Sequence, residues 1–192
     1  MQSFLYRVQF HIKAIFFRIF TIIKFGNRVR IDGDPRKVKL GKGCTFQSGV
    51  LIYTYGGTVQ IGDYSEIHHG VILNASGGKI VIGTECSINP YTIIYGEGNT
   101  IIGNGVRIAA HSVIVSSNHS FEVKDIPIRK QGFTKLGIAI EDDVWIGAGV
   151  KILDGVVIRK GAVIGAGAVV TTNIPEFAVC VGVPAKVIKY RT

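Results

Sequence analysis

Five histidines are the side chains of this 192-residue chain that exchange a proton near neutral pH. His11 lies in the apolar N-terminal stretch, His68 and His69 adjoin in EIHHG, and His111 follows two alanines in IAAHSV. His119 lies in SSNHSF, residues 116–121, where a regular pattern breaks off. A neutral imidazole beside a hydroxyl can take its proton in a transition state and return it to a leaving group. His119, at the break, is the candidate general base, and Asn118 is the neighbour able to orient it or an acceptor. The other four histidines read as solvated or interface side chains. Cys44, Cys86 and Cys180 are odd in number and form no CxxC pair, so neither a disulfide framework nor a zinc site is expected. Three unpaired cysteines suit a reducing, cytoplasmic setting.

The pattern around His119 has a six-residue period. An aliphatic residue opens LGKGCT at 40, IGDYSE at 61, IGTECS at 82 and IGNGVR at 102, and recurs six residues on, as in Ile61, Ile67 and Leu73. The series resumes as IEDDVW, IGAGVK, ILDGVV, IRKGAV, IGAGAV and VTTNIP, from Ile140 to Pro175. This period fits neither a helix nor a simple alternating strand, and it predicts a solenoid of flat-sided coils. Each hexapeptide supplies a short strand and a corner, and three make one triangular coil. The aliphatic residue points inward, as does the small residue four places later: Cys44, Ser65, Cys86, Val106, Val144, Val150, Ala162 and Ala168. The early units are longer, with extra residues expected to bulge at one corner, at YGG (55–57), SGG (76–78) and EGN (97–99). The stretch 120–137 is too long for a corner and is expected to form a flap over an acceptor pocket, where Lys124, Arg129 and Lys130 can meet anionic groups.

The composition suits one folded domain: 47% hydrophobic, 18% charged and 25 glycines. A formal charge of +9 favours an anionic partner. The basic residues are scattered, with no aromatic platform or reading motif, so nucleic acid is not expected as the partner. Residues 1–25 contain no Pro or Gly and gather Phe4, Leu5, Val8, Ile12, Ile15, Phe16, Ile19, Ile22 and Ile23 on one side of a helical wheel. All charges in this stretch are basic. The expected division is an amphipathic helix over 1–26 and a solenoid domain over 27–192. The helix suits an anionic membrane surface, an end cap for the solenoid, or a partner subunit. Basic residues interrupt every apolar run short of a membrane span, and no cleavage site follows it.

These repeats resemble the left-handed parallel β-helix of the hexapeptide-repeat acyltransferases, over roughly residues 38–190. The likeness is carried by NHSF at 118–121 before an interrupting loop, by VWIGAGVKILDGVVIRKGAVIGAGAVVTTNIP, and by VGVPAKVIK at 181–189. It is greatest toward the galactoside and polysaccharide O-acetyltransferase branch. The resemblance implies a homotrimer with active sites between subunits, acetyl-CoA as donor, no metal, and His119 as catalytic base in direct transfer. It places Asn89 with Asn118 at the acceptor. It places Trp145, Ala148, Ala166, Thr171, Lys186 and Lys189 along the donor. Where the family often has lysine after the threonine, this chain has Thr172, which removes one phosphate contact.

The expectation is O-acetylation of a sugar hydroxyl in a surface polysaccharide or its lipid- or nucleotide-linked precursor. The setting is cytoplasmic, with peripheral contact at the inner membrane surface through residues 1–25. An amino-sugar N-acetyltransferase and an antibiotic acetyltransferase stay open. So do a β-helical carbonic anhydrase, although its His-x4-His spacing is absent, and a passive scaffold.

Overall fold

The computed structural model describes residues 23–192. They form a left-handed parallel β-helix of triangular section, in agreement with the hexapeptide reading, and its three sheets run the length of the molecule. Face one stacks Lys24–Phe25, Thr45–Phe46, Glu66–Ile67, Ser87–Ile88, Arg107–Ile108, Trp145–Ile146, Val163–Ile164 and Ala178–Val181. Face two stacks Arg30–Asp32, Leu51–Tyr53, Ile72–Asn74, Ile93–Tyr95, Val113–Ile114, Lys151–Ile152 and Val169–Val170. Face three stacks Val38–Leu40, Thr58–Ile61, Lys79–Ile82, Thr100–Ile102, Ile138–Ile140 and Val157–Ile158. The chain visits the faces in that order. The first corner therefore joins faces one and two, the second joins faces two and three, and the third leads back to face one.

The hexapeptide follows from what each position meets. Ile67, Ile88, Ile108 and Ile146 form one inward ladder, and Leu73, Ile94, Ile114 and Ile152 another, all essentially inaccessible to solvent. The eight small inward residues are buried as expected. Ser65 keeps its polar group there because its hydroxyl donates to the Gly83 carbonyl at 2.8 Å and accepts the Cys86 N–H at 3.1 Å. The glycine after the aliphatic residue is a packing requirement. A Cβ on Gly62 would stand 2.6 Å from the carbonyl carbon of Gly83 in the next coil, and one on Gly83 would stand 2.5 Å from the Gly103 oxygen.

The second corner departs most from the period. Early rungs advance by 21 residues, as from Leu51 to Ile72, and their extra residues turn at this corner, as expected of YGG, SGG and EGN. One rung then advances from Val113 to Lys151, after which Lys151 to Val169 is a plain 18-residue coil. The long step leaves after Ile114 and rejoins at Ile138, so the repeats restart slightly before Ile140. Within it Asn118–His119 and Phe133–Thr134 pair antiparallel. At the C-terminal end Lys186–Tyr190 folds back antiparallel on Ala178–Val181 and closes face one.

Most of the helix expected over residues 1–26 lies outside the described residues. Its last part is corrected. Lys24–Phe25 is a strand on Thr45–Phe46, with the Phe25 and Phe46 rings stacked 5.1 Å apart, so the solenoid begins before Asn27. Phe46 offers Phe25 an apolar rung, and that contact outweighs helix propensity.

Cys44, Cys86 and Cys180 are buried, and burial pushes each thiol above its ordinary range. Iodoacetamide at mildly alkaline pH is expected to leave all three unmodified in the folded protein and to alkylate all three in guanidinium, read by intact mass. Rapid labelling of the folded chain at any of them would contradict the packing described.

Candidate active site

The segment bearing His119 is anchored where it leaves the solenoid. Ser116 is buried, donates to the Tyr95 carbonyl at 3.0 Å and accepts the Gly98 N–H at 3.2 Å, so it is the last core residue of the coil. The Ser117 hydroxyl donates to the Glu97 carboxylate at 2.8 Å. Asn118 and His119 then stand exposed opposite Thr134 and Phe133. The His119 and Phe133 rings lie 4.3 Å apart at a 41° tilt, which gives the imidazole an apolar wall on one side and leaves it open to solvent.

The returning limb is fixed by one carboxylate. Asp154 accepts the Leu136 N–H at 3.1 Å, the Gly137 N–H at 2.8 Å and the Thr134 hydroxyl at 3.2 Å. The tip is held by Gln131, whose amide donates to the Val123 and Ile126 carbonyls at 2.8 and 2.6 Å and accepts the Val123 N–H at 3.0 Å. The loop is therefore shaped at root and tip. It still exposes Phe121, Val123, Ile126, Ile128, Phe133 and Leu136, the last 77% accessible.

The other candidates divide by corner. Asn89 is half-buried at the first corner, and its amide donates to the Ile108 carbonyl at 2.9 Å. Ala148 and Ala166 are exposed in successive turns of the same corner, joined by the Gly167 N–H to the Ala148 carbonyl at 2.8 Å. Trp145 lies on face one between Arg107 and Val163, 56% exposed and pointing outward. Lys186 and Lys189 are exposed on the strand that closes face one. Thr171 is exposed at the end of face two. Asn118 and His119 lie at the second corner, which in a triangular section lies opposite face one, and of the donor candidates only Thr171 is on that corner. Within one chain the candidate base His119 and Trp145 are thus on opposite sides of the core. Among the described residues no cluster of three or more His, Cys, Asp or Glu is arranged to hold a metal ion.

Sequence reading did not single out Glu97, Gln131, Phe133 or Asp154. Glu97 was visible only within a bulge, and Asp154 occupies a variable position of the hexapeptide ILDGVV. The contacts of Glu97 and Asp154 cross to residues about one coil away, and those of Gln131 and Phe133 lie within the loop, neither of which a one-dimensional period reports.

The comparisons agree with the fold. Residues 137–172 match the model of the family described as bacterial transferase hexapeptide (six repeats). The chain is 32% identical over 183 residues to the putative lipopolysaccharide biosynthesis O-acetyl transferase WbbJ of Escherichia coli K12, covering 91% of this chain and 81% of that one. The chain belongs to the hexapeptide-repeat acyltransferases. A probable acetyltransferase of Mycobacterium tuberculosis is 38% identical over 106 residues, 52% of this chain, and the match spans only 35% of that protein's length. Among solved structures, a variant of AntD, an N-acyltransferase from Bacillus cereus in complex with dTDP and coenzyme A, superposes with a TM-score of 0.70. It is 25% identical, over 87% of this chain and 86% of that one.

Asp154→Ala removes the three contacts that hold the returning limb. The variant is expected to fold with an unchanged Tm while trypsin cuts after Lys124, Arg129 or Lys130 about tenfold faster, as for ~1.4 kcal/mol less local stability. Unchanged cleavage would show that Asp154 does not order the loop.

Proposed function

We propose that the protein is an acetyl-CoA-dependent O-acetyltransferase of a sugar hydroxyl, acting on a surface polysaccharide or its lipid- or nucleotide-linked precursor. The observation that carries the reading is His119. It is an exposed imidazole, backed by Phe133, at the root of a shaped loop on an otherwise regular solenoid. The likeness to WbbJ over nearly the whole chain supports the sugar hydroxyl as acceptor.

Acetyl-CoA supplies a thioester carbonyl and a thiol leaving group. Residues of this chain suit its long arm and anionic end. Ala148 and Ala166 allow close approach, Trp145 offers an exposed apolar face, and Lys186 and Lys189 offer point charges for phosphate. His119 takes the proton of the acceptor hydroxyl as that oxygen bonds to the acyl carbon. The imidazolium then protonates the departing sulfur, so one histidine serves as base and acid. Asn118 and Asn89 hold the acceptor.

The opposed placement of base and donor groups supports a homotrimer with sites shared between chains. Along face two, Leu51, Ile72, Ile93 and Val113 point outward as an unbroken aliphatic ladder, each half-buried. On face one the equivalent outward positions are Thr45, Glu66, Ser87 and Arg107. If face two turns toward a threefold axis parallel to the solenoid, the second corner of one chain meets the first corner of the next. His119 then stands beside the neighbour's Asn89, Ala148 and Ala166. The loop's exposed apolar side chains gain a partner in the same assembly.

The unpaired buried thiols support a reducing, cytoplasmic setting. The basic apolar sequence 1–25 supports peripheral contact with an anionic membrane surface, where a lipid-linked acceptor is presented. Among the described residues no helix is long and apolar enough to cross a membrane.

His119→Ala is expected to lower acetyl transfer by roughly 10²- to 10⁴-fold while coenzyme A still binds. Wild-type turnover in that variant would end the reading. Co-expression of His119→Ala with Ala148→Trp chains tests the shared site. Each variant alone is expected to be inactive, and mixed trimers are expected to regain activity. No recovery in mixed trimers would place the site within one chain.

A further inference from the structure

The first corner carries a feature that donor binding does not use. At the left-handed turn position its rungs read Arg28, Gly49, Gly70, Tyr91, His111, Gly149 and Gly167, all with positive φ. Four are glycine, the residue that adopts this conformation without penalty. Tyr91 and His111 hold it at φ 59° and 61°, at a cost of about 1–2 kcal/mol each. The rings of Tyr91 and His111 stack 5.2 Å apart and 15° from parallel. His69, on the rung before, meets Tyr91 edge-on at 4.9 Å. All three side chains are exposed.

Part of this has a structural cause. The Tyr91 ring covers Gly70, as Tyr64 covers Gly43 and Phe177 covers Gly161 at the third corner. The Tyr64 and Phe177 rings have no further rings stacked on them among the described residues. Only at the first corner does the stack continue through neighbouring rungs. His111 covers a tyrosine that already covers a glycine, so support of the turn does not account for it.

The height of the column is informative. His111 leads directly into Val113–Ile114 and so into the segment bearing His119, within a single coil. Rotation about an axis parallel to the solenoid preserves height. In the trimer proposed above, the neighbour's His111 therefore stands level with His119. Ala148 and Ala166 lie one and two rungs above that level, on the donor side. Tyr91 and His69 lie one and two rungs below it, beside Asn89. On this chain's second corner the limb fixed by Asp154 leans toward the C-terminal coils, and Leu136 packs on Gly155 there. The space below His119 is left to face the column.

We infer that His69, Tyr91 and His111 form an acceptor-binding column for a saccharide longer than one ring, running from the shared site toward the N-terminal coils. The inference rests on the sugar O-acetyltransferase reading and deepens it. Three rungs spaced ~4.8 Å apart give an extended track. Aromatic rings offer flat apolar surfaces to the C–H faces of pyranoses. Asn89, together with Glu66 and His68, which approach each other to 3.4 Å on the rung of His69, supplies polar groups along its side. The reacting sugar sits at His119 and the rest of the chain lies along the rings.

The test uses Tyr91→Gly with His111→Gly, the residue found at the same turn on four other rungs, so the fold and trimer are expected to persist. Acetyl transfer from acetyl-CoA is measured on matched mono- and tetrasaccharides of hexoses, hexosamines, deoxyhexoses and sialic acid. The wild type is expected to favour a tetrasaccharide over its monosaccharide by tenfold or more in kcat/KM. The double variant is expected to lose that preference, its kcat/KM on the tetrasaccharide falling tenfold or more, and to keep its KM for acetyl-CoA. Three outcomes overturn the column: no length preference in the wild type, a preference retained in the variant, or dissociation of the variant trimer, which would make the rings a subunit contact. Acetylation of none of the sugars by the wild type would overturn the underlying sugar reading instead.

Discussion

The spacing of hydrogen-bonded coils is the constraint on which this molecule depends. Each strand must pair with the equivalent strand of the next coil, so the chain returns to the same place on every turn. Gly62 and Gly83 leave room for the next backbone, and Ser65 satisfies its hydroxyl within that narrow space. Outward groups on a face are crowded by identical positions above and below, as Leu51, Ile72, Ile93 and Val113 show. An inserted residue on a face would break two ladders at once. Corners have no such obligation, because their backbone is already turning.

That difference explains where the functional groups lie. The second corner tolerates three extra residues in early coils and a long excursion in one later coil. His119 leaves the solenoid there, and Phe133 and Asp154 give the excursion a fixed shape. The excursion leaves the adjacent faces undisturbed: Val113 still pairs with Lys151, and Thr100 with Ile138. A rigid frame and a variable corner thus coexist in one chain. The frame sets the height of His119, and the loop sets what surrounds it.

Much of this was legible in sequence because the period is itself the fold. A six-residue recurrence of Ile61, Ile67 and Leu73 dictates three faces, and the interruption after Ile114 marks the one place where the chain leaves them. His119 stood out for the same reason. The N-terminal boundary was misread because Lys24 and Phe25 belong to a helical pattern in sequence, while Phe46, 21 residues on, draws Phe25 into a strand. Asp154 and Glu97 escaped because each acts on a residue about one coil away, with nothing in its own hexapeptide to mark it. The stacking of Tyr91 on His111 was hidden likewise, since 20 residues separate them in the chain and one rung in space.

The opposed placement of His119 and Trp145 ties catalysis to assembly. A triangular solenoid cannot bring a corner and its opposite face together, whatever its side chains do. If His119 is the base and Ala148 and Ala166 are the donor turns, as proposed, one chain carries two halves of different sites. In the proposed trimer, rotation about a parallel axis would join them without any change in height, so register within one chain would become register between chains. Ladder spacing would then fix three levels in the proposed groove, with Ala148 and Ala166 above, His119 in the middle, and Asn89 below. A thioester and a hydroxyl would approach the imidazole from opposite ends of that groove, which lets two extended substrates be bound at once without competing for the same surface.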